Sequence, residues 1–209
     1  MVCRVAAPAH REDLSLKDTI IVFARAPQLG TVKRRLASEI GDRAALRFYV
    51  ANLTRLLRAL RRDRRFRTVL AVTPDRAPDW VRARWPARVP VITQGPGDLG
   101  TRMHRACARC RRGRVAIIGT DIPDAGVGDV IAAFQAVRRS GAAFGPAMDG
   151  GYWLAALGPR RPAHPFAGVR WSSEYALADT LRNFGGRRVV MLRMLRDVDT
   201  AADLRATMR

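Results

Sequence analysis

Short apolar, β-branched runs alternate with amphipathic segments along most of this chain, and nothing else in it restricts the fold as tightly. Runs of strand length stand at residues 19–24 (TIIVFA), 68–72, 89–93, 115–118, 142–144, 152–157 and 188–192. Segments of helical character fall between them, at residues 42–62, 99–111, 127–138, 173–184 and 200–208. In the first of these, Leu46, Tyr49, Val50, Leu53, Leu56, Leu57 and Leu60 recur at helical spacing, which gives one apolar face and an arginine-rich opposite side. Strands alternating with helices predict a three-layer α/β fold with a mainly parallel sheet. The 209 residues hold no internal repeat and no linker long enough to separate a pair of domains. They predict one domain over residues 19–209 behind a loose leader, residues 1–18.

In such sheets ligands bind at the carboxyl ends of the strands. The run Val115-Ala-Ile-Ile118 reads as a buried strand, and the turn Gly119-Thr-Asp-Ile-Pro123 places Asp121 just past its carboxyl end. A carboxylate there suits a divalent cation that carries phosphate oxygens. Capping of the following helix accounts for the same aspartate, so other segments must decide.

Four further segments carry candidate chemistry. The loop after the first strand holds Arg25, Gly30, Lys33, Arg34 and Arg35, where a glycine and a helix start can meet a diphosphate and the basic side chains add charge. It lacks the Gly-Lys-Ser/Thr ending of a P-loop. The stretch Gln94-Gly-Pro-Gly-Asp-Leu-Gly-Thr-Arg102 offers a tight loop in which Gln94 can meet a base edge, although a plain turn with Asp98 capping the next helix fits as well. Gly145-Pro-Ala-Met-Asp-Gly-Gly-Tyr-Trp153 sets Asp149 before two glycines and an aromatic pair, suited to sugar hydroxyls or to a hairpin turn. Near the end, Asp197 and Asp199 alternate just before a helix capped by Thr200; they can reach a metal held by Asp121, or serve that helix N-terminus.

The net charge of +20 would ordinarily point to nucleic acid. Lys17 and Lys33 are the only lysines, the arginines are scattered, and no aromatic residues interleave them for base stacking. A basic cleft for phosphorylated substrates fits better than a specific nucleic-acid role. No apolar stretch is long enough to span a bilayer, and Cys3, Cys107 and Cys110 form no zinc framework, so a cytoplasmic protein is expected. No Ser or Cys stands in a nucleophile-elbow context, so with His10, His104 and His164 hydrolase triads are disfavoured.

Taken in order, residues 23–33 (FARAPQLGTVK), 94–103, 119–123 (GTDIP), 145–152, 171–174 (WSSE) and 197–204 (DVDTAADL) resemble the bacterial glycosyltransferase-A-type transferases. The group named for arsenosugar biosynthesis and radical-SAM-associated clusters is the most similar, and the guanylyltransferases of phospholactate and molybdenum-cofactor pathways are similar more distantly. The resemblance implies a nucleotide-diphospho-sugar transferase fold, a Rossmann-like, GT-A-like sheet with one reversed strand. By the same resemblance, Arg25, Gly30, Lys33 and Arg35 face donor phosphates, and Gln94 and Gly100 face the base. Asp121 binds Mg²⁺ or Mn²⁺ with Asp199 as second carboxylate, while Asp149 and Glu174 line the acceptor pocket and supply the catalytic carboxylate. One departure is Lys33-Arg34-Arg35, where those proteins usually carry Lys-Thr-Arg.

The expectation is therefore a metal-dependent glycosyltransferase that takes a nucleotide-sugar donor and a small-molecule acceptor. A nucleotidyltransferase joining a nucleoside monophosphate from a triphosphate donor to a phosphorylated small molecule is the alternative. A nucleotide-binding protein without turnover is a third reading.

Overall fold

The computed structural model describes residues 17–76, 89–110 and 112–207. Most of the expected leader, with Cys3 and His10, lies outside the described residues. Seven strands form one sheet: β1 (Thr19–Arg25), β2 (Arg67–Thr73), β3 (Val91–Thr93), β4 (Val115–Ile118), β5 (Ala142–Pro146), β6 (Tyr152–Leu157) and β7 (Val189–Met191). Six helices are described: α1 (Arg34–Ile40), α2 (Asp42–Arg62), α3 (Leu99–Ala108), α4 (Val127–Ser140), α5 (Ala176–Arg182) and α6 (Ala201–Ala206).

The strands are ordered β3-β2-β1-β4-β6-β5-β7. β1 pairs in parallel with both β2 and β4, and β7 runs parallel to β5. Among the described strands only β6 is reversed: it lies antiparallel between β4 and β5, with Ile118 opposite Leu154 and Phe144 opposite Ala155. The mainly parallel three-layer fold with one reversed strand is thus what forms.

Side chains alternate across each strand and feed two cores. Ile20, Val22 and Ala24 of β1 face α2 and α4, where Tyr49, Leu53, Leu56, Leu57 and Leu60 meet Val130, Phe134 and Val137. Ile21 of the same strand faces α3 and the segment ending at Phe184, with Met103, Ala106 and Cys107. Burying each large apolar side chain contributes about 1.5–3 kcal/mol, so the five deep α2 residues hold that helix firmly to the sheet. A third, small cluster of Leu36, Ala45 and Val198 ties the last extended segment under α1 and α2.

Several boundaries differ from the sequence expectation for local reasons. The segment expected to be helical over residues 173–184 coils only from Ala176 to Arg182, because Ser172 adopts a positive φ of 59° and Ser173 closes a turn on the Arg170 carbonyl. α3 stops at Ala108, short of Arg111. Cys107 and Cys110 are free, buried thiols at its end; burial raises the pKa of both, that of Cys107 to about 12, which disfavours thiolate chemistry. Among the described residues no helix is long and apolar enough to cross a membrane.

Candidate active site

β1 and β4 are neighbours with parallel register, so the loops that leave their carboxyl ends emerge side by side. The β1 loop ends at Lys33, which precedes α1 with φ 49° and ψ 49°, a left-handed conformation uncommon for a side chain of this size. The β4 loop carries Asp121. The last extended segment runs alongside: the Val198 N–H donates to the Asp121 carbonyl at 3.0 Å, which delivers Asp199 to the same place.

Lys33 Nζ lies 2.8 Å from Asp121 Oδ1 and 2.9 Å from Asp199 Oδ1, so one ammonium bridges two carboxylates from distant stretches of the chain. The Lys33 side chain is only 4% exposed, whereas Asp121 and Asp199 are 52% and 37% exposed. Burial works against the ammonium, but the charges and hydrogen bonds of Asp121 and Asp199 outweigh it and hold the Lys33 pKa above the ordinary lysine value. Lys33 therefore stays charged, with one of its three N–H donors left over for a ligand. Arg35, 83% exposed, reaches to 3.8 Å of Asp199 Oδ2. Arg34 is exposed on the first turn of α1, directed outward as its charge demands.

Helix α2 braces both loops. The Asn52 amide donates to the Thr120 carbonyl at 2.6 Å, and Arg55 donates to the carbonyls of Pro123 and Ala125. The Tyr49 hydroxyl donates to the Arg25 carbonyl at 2.8 Å and accepts from the Arg25 N–H at 2.9 Å, fixing the end of β1. Burial pushes the Tyr49 pKa up to about 12, so it remains a neutral donor. Sequence reasoning gave none of these three supports a functional role. The signal existed for Asn52, a polar residue set within the apolar face of a long amphipathic helix.

Helix capping does not account for the two aspartates. α4 begins at Gly126, whose N–H donates to Asp129 Oδ2 at 2.9 Å, and α6 is capped by Thr200 with Asp203, which leaves Asp121 and Asp199 to Lys33. Asp197 stands close by. Burial first, then the charges of Asp199 and Asp149, hold its pKa above the usual carboxylate range. The neighbouring turn carries Asp149, whose Oδ1 accepts from the Gly151 N–H at 2.9 Å. Gly150 presses on the backbone of Glu174: a Cβ there would lie 2.2 Å from the Glu174 carbonyl oxygen, so only glycine admits the contact. Asp149 and Glu174, both exposed, are thereby brought to one rim.

Two residues expected to face a base are largely engaged elsewhere. Gln94 is 5% exposed, and its Nε2 donates to the carbonyls of Ala24 and Ala71 at 3.1 and 3.0 Å, which commits both amide hydrogens to strands β1 and β2. Only its Oε1 is left for a ligand. Gly100 answers packing: a Cβ would lie 2.4 Å from the Phe166 carbonyl oxygen and 3.0 Å from the Trp171 ring. Asp98 caps α3 through the Thr101 N–H at 2.8 Å, as a plain turn requires. Arg25 turns its guanidinium back on the Thr31 carbonyl at 3.2 Å, within its own loop, and Gly30 forms that loop's exposed turn.

The chemistry of the acidic groups bears on whether they can hold a metal. Among the described residues no three His, Cys, Asp or Glu side chains converge as a ready cage. Asp121 and Asp199 are hard oxygen donors that converge from separate elements and are partly open to solvent. Mg²⁺ commonly takes one or two carboxylates and completes its shell with water and substrate phosphate. The pair fits a divalent cation of that kind on its solvent side, beside Lys33.

This sheet has the nucleotide-diphospho-sugar transferase fold. The chain itself belongs to the family described as uncharacterized protein conserved in bacteria (DUF2064), whose model matches residues 56–173. A protein from Desulfovibrio desulfuricans G20, provisionally named a nucleotide-diphospho-sugar transferase, superposes with a TM-score of 0.84 at 28% identity, over 92% of this chain and 86% of that one. CMP:2-keto-3-deoxy-manno-octonic acid synthetase, solved with CTP, shares the fold at a TM-score of 0.58 and 14% identity, over 91% of this chain and 96% of its own. Rv0371c from Mycobacterium tuberculosis H37Rv, solved with manganese, does so at 0.57 and 19%, over 91% and 97%. No curated protein matches the sequence.

Proposed function

We propose that this protein is a transferase that uses a nucleotide-activated donor, and that glycosyl transfer from a nucleotide sugar to a small acceptor is its reaction. The observation that carries the reading is the Lys33 ammonium held between Asp121 and Asp199 at the shared carboxyl edge of β1 and β4. A fixed cation with a spare donor, flanked by two carboxylates and Arg35, suits a diphosphate. Preorganised charge of this kind acts where negative charge grows in the transition state.

In this reading Lys33 donates to a donor phosphate oxygen, while Asp121 and Asp199 hold Mg²⁺ or Mn²⁺. The metal, when bound, neutralises diphosphate oxygens and so eases departure of the nucleoside diphosphate. Arg35 adds a mobile positive charge at the mouth. Asn52, Arg55 and Tyr49 act as positioning residues, since they keep the two loops from drifting apart. Asp149 or Glu174, on the rim formed by Gly150, takes the proton from the acceptor hydroxyl. The Oε1 of Gln94 is the one group of that side chain available to a base.

Turnover assays on the purified protein with Mn²⁺ test the reading. Release of a nucleoside diphosphate from a nucleotide sugar, lost in Asp121→Asn, is the expected result. Release of pyrophosphate from a nucleoside triphosphate instead would replace glycosyl by nucleotidyl transfer at the same cluster. Nucleotide binding without either product would mark a protein that binds and does not turn over.

A further inference from the structure

Apart from Arg55, which braces the Asp121 loop, the outer face of α2 has no role in the site just described. Arg43, Arg47, Arg55, Arg58, Arg61 and Arg62 are all exposed there. At 100° per residue they fall within an arc of roughly 120°, opposite the buried Ala45, Tyr49, Asn52, Leu53, Leu56, Leu57 and Leu60. From Arg43 to Arg61 the row spans about 27 Å at the helical rise. Asp42, exposed in the first turn, is the only carboxylate of the helix, and no described ion pair joins it to these arginines. Arg55 is engaged with the carbonyls of Pro123 and Ala125, but no described carboxylate pairs with Arg43, Arg47, Arg58, Arg61 or Arg62. Five like charges along one straight element repel one another, and no ion pair among the described residues relieves them. Elsewhere it pairs arginines readily, as in Arg114 with Asp18, Arg170 with Asp179 and Arg193 with Asp129.

We propose that this arginine face of α2 docks the protein on an anionic lipid bilayer. The helix is embedded in the core on one side, so it cannot insert; it can only lie along a surface and offer its charges in a line. A flat array of lipid phosphates meets such a line along its whole length, and four to eight basic residues on a helix face are enough for binding of this kind. Duplex nucleic acid fits less well. The face carries no exposed Asn or Gln to read base edges and no exposed aromatic ring to stack on bases. The docking does not depend on what the Lys33 cluster catalyses.

The test is co-sedimentation of the full chain with vesicles of phosphatidylcholine containing about one-third phosphatidylglycerol, at roughly 0.15 M salt, where long-range attraction is screened. Binding to these vesicles and not to pure phosphatidylcholine is expected. Each arginine near such a surface is worth roughly a factor of five. Joint replacement Arg47→Gln and Arg58→Gln should therefore lower the partition coefficient roughly 30-fold. Joint Arg109→Gln and Arg188→Gln, which remove the same charge elsewhere, should change it less than about twofold. All four positions are exposed, and unchanged thermal midpoints would show that folding is intact. Equal losses in the two double variants would mean diffuse charge and overturn the proposal, as would absence of binding. Tighter binding to a DNA duplex than to the vesicles, with the same loss in Arg47→Gln/Arg58→Gln, would assign the face to nucleic acid and overturn it too.

Discussion

Replacing Lys33 by Met tests the bridge without disturbing its frame, because Met keeps the stem and meets the same left-handed backbone. What is lost is the ammonium 2.8 and 2.9 Å from two carboxylate oxygens. Asp121 and Asp199 then face each other across the emptied position. At a separation of about 5 Å and an effective dielectric near 20, two like charges repel by about 3 kcal/mol. Because Asp121 is 52% and Asp199 37% exposed, solvent screening reduces this to about 1–2 kcal/mol. In a domain of this size that lowers the thermal midpoint by roughly 2–8 °C. The sign of the metal effect is more telling than the loss itself. A divalent cation supplies the charge that Met lacks, so Mn²⁺ should stabilise Lys33→Met more than it stabilises the native chain. Scanning fluorimetry or calorimetry with and without Mn²⁺ measures both quantities. An unchanged midpoint in Lys33→Met without metal, or an equal Mn²⁺ shift in both proteins, would refute the reasoning.

Three other outcomes follow from the geometry. Gly150→Ala forces a Cβ to within 2.2 Å of the Glu174 carbonyl oxygen at a φ of +84°, so urea titration should show a loss of about 2–3 kcal/mol. Asn52→Ala frees the buried Thr120 carbonyl and should cost about 1–2 kcal/mol in the same titration. It should also weaken nucleotide binding, which Gly150→Ala need not do. Arg170, joined by Arg182, holds the Asp179 carboxyl well below its ordinary 3.8. A depressed carboxylate contributes stability above pH 3.8 that disappears as pH falls below it toward the group's own value. The stability gap between the native chain and Asp179→Asn should therefore narrow as pH drops from about 4 to about 2; a constant gap would rule out that ion pair as the source.

How much of the molecule is legible in the sequence depends on whether the signal is periodic or relational. Helix α2 begins and ends where its leucine spacing says, because that spacing is the physical cause of its burial. Strands β4 and β6 likewise match their apolar runs, 115–118 and 152–157. The reversal of β6 has no local signature in its residues; the family resemblance implies one reversed strand without saying which. Asp121, Asp199 and Lys33 each stand out as site candidates, but sequence reasoning assigns Lys33 to phosphates alone. Its two carboxylate partners lie 88 and 166 residues away, and no spacing rule joins them. Gln94 shows the opposite case. A glutamine in a glycine-rich loop looks free to read a base, yet the gap between β1 and β2 absorbs its amide hydrogens. The short α5 reflects the positive φ at Ser172, which no propensity of serine announces.

The most direct measurement is calorimetric binding of a nucleoside diphosphate to the native chain and to Asp121→Asn, each with and without Mn²⁺. The account predicts binding that needs the metal in the native chain and a loss of that metal dependence in the variant. The same affinity in both proteins, or no effect of Mn²⁺ on either, would contradict a donor site built on Lys33, Asp121 and Asp199.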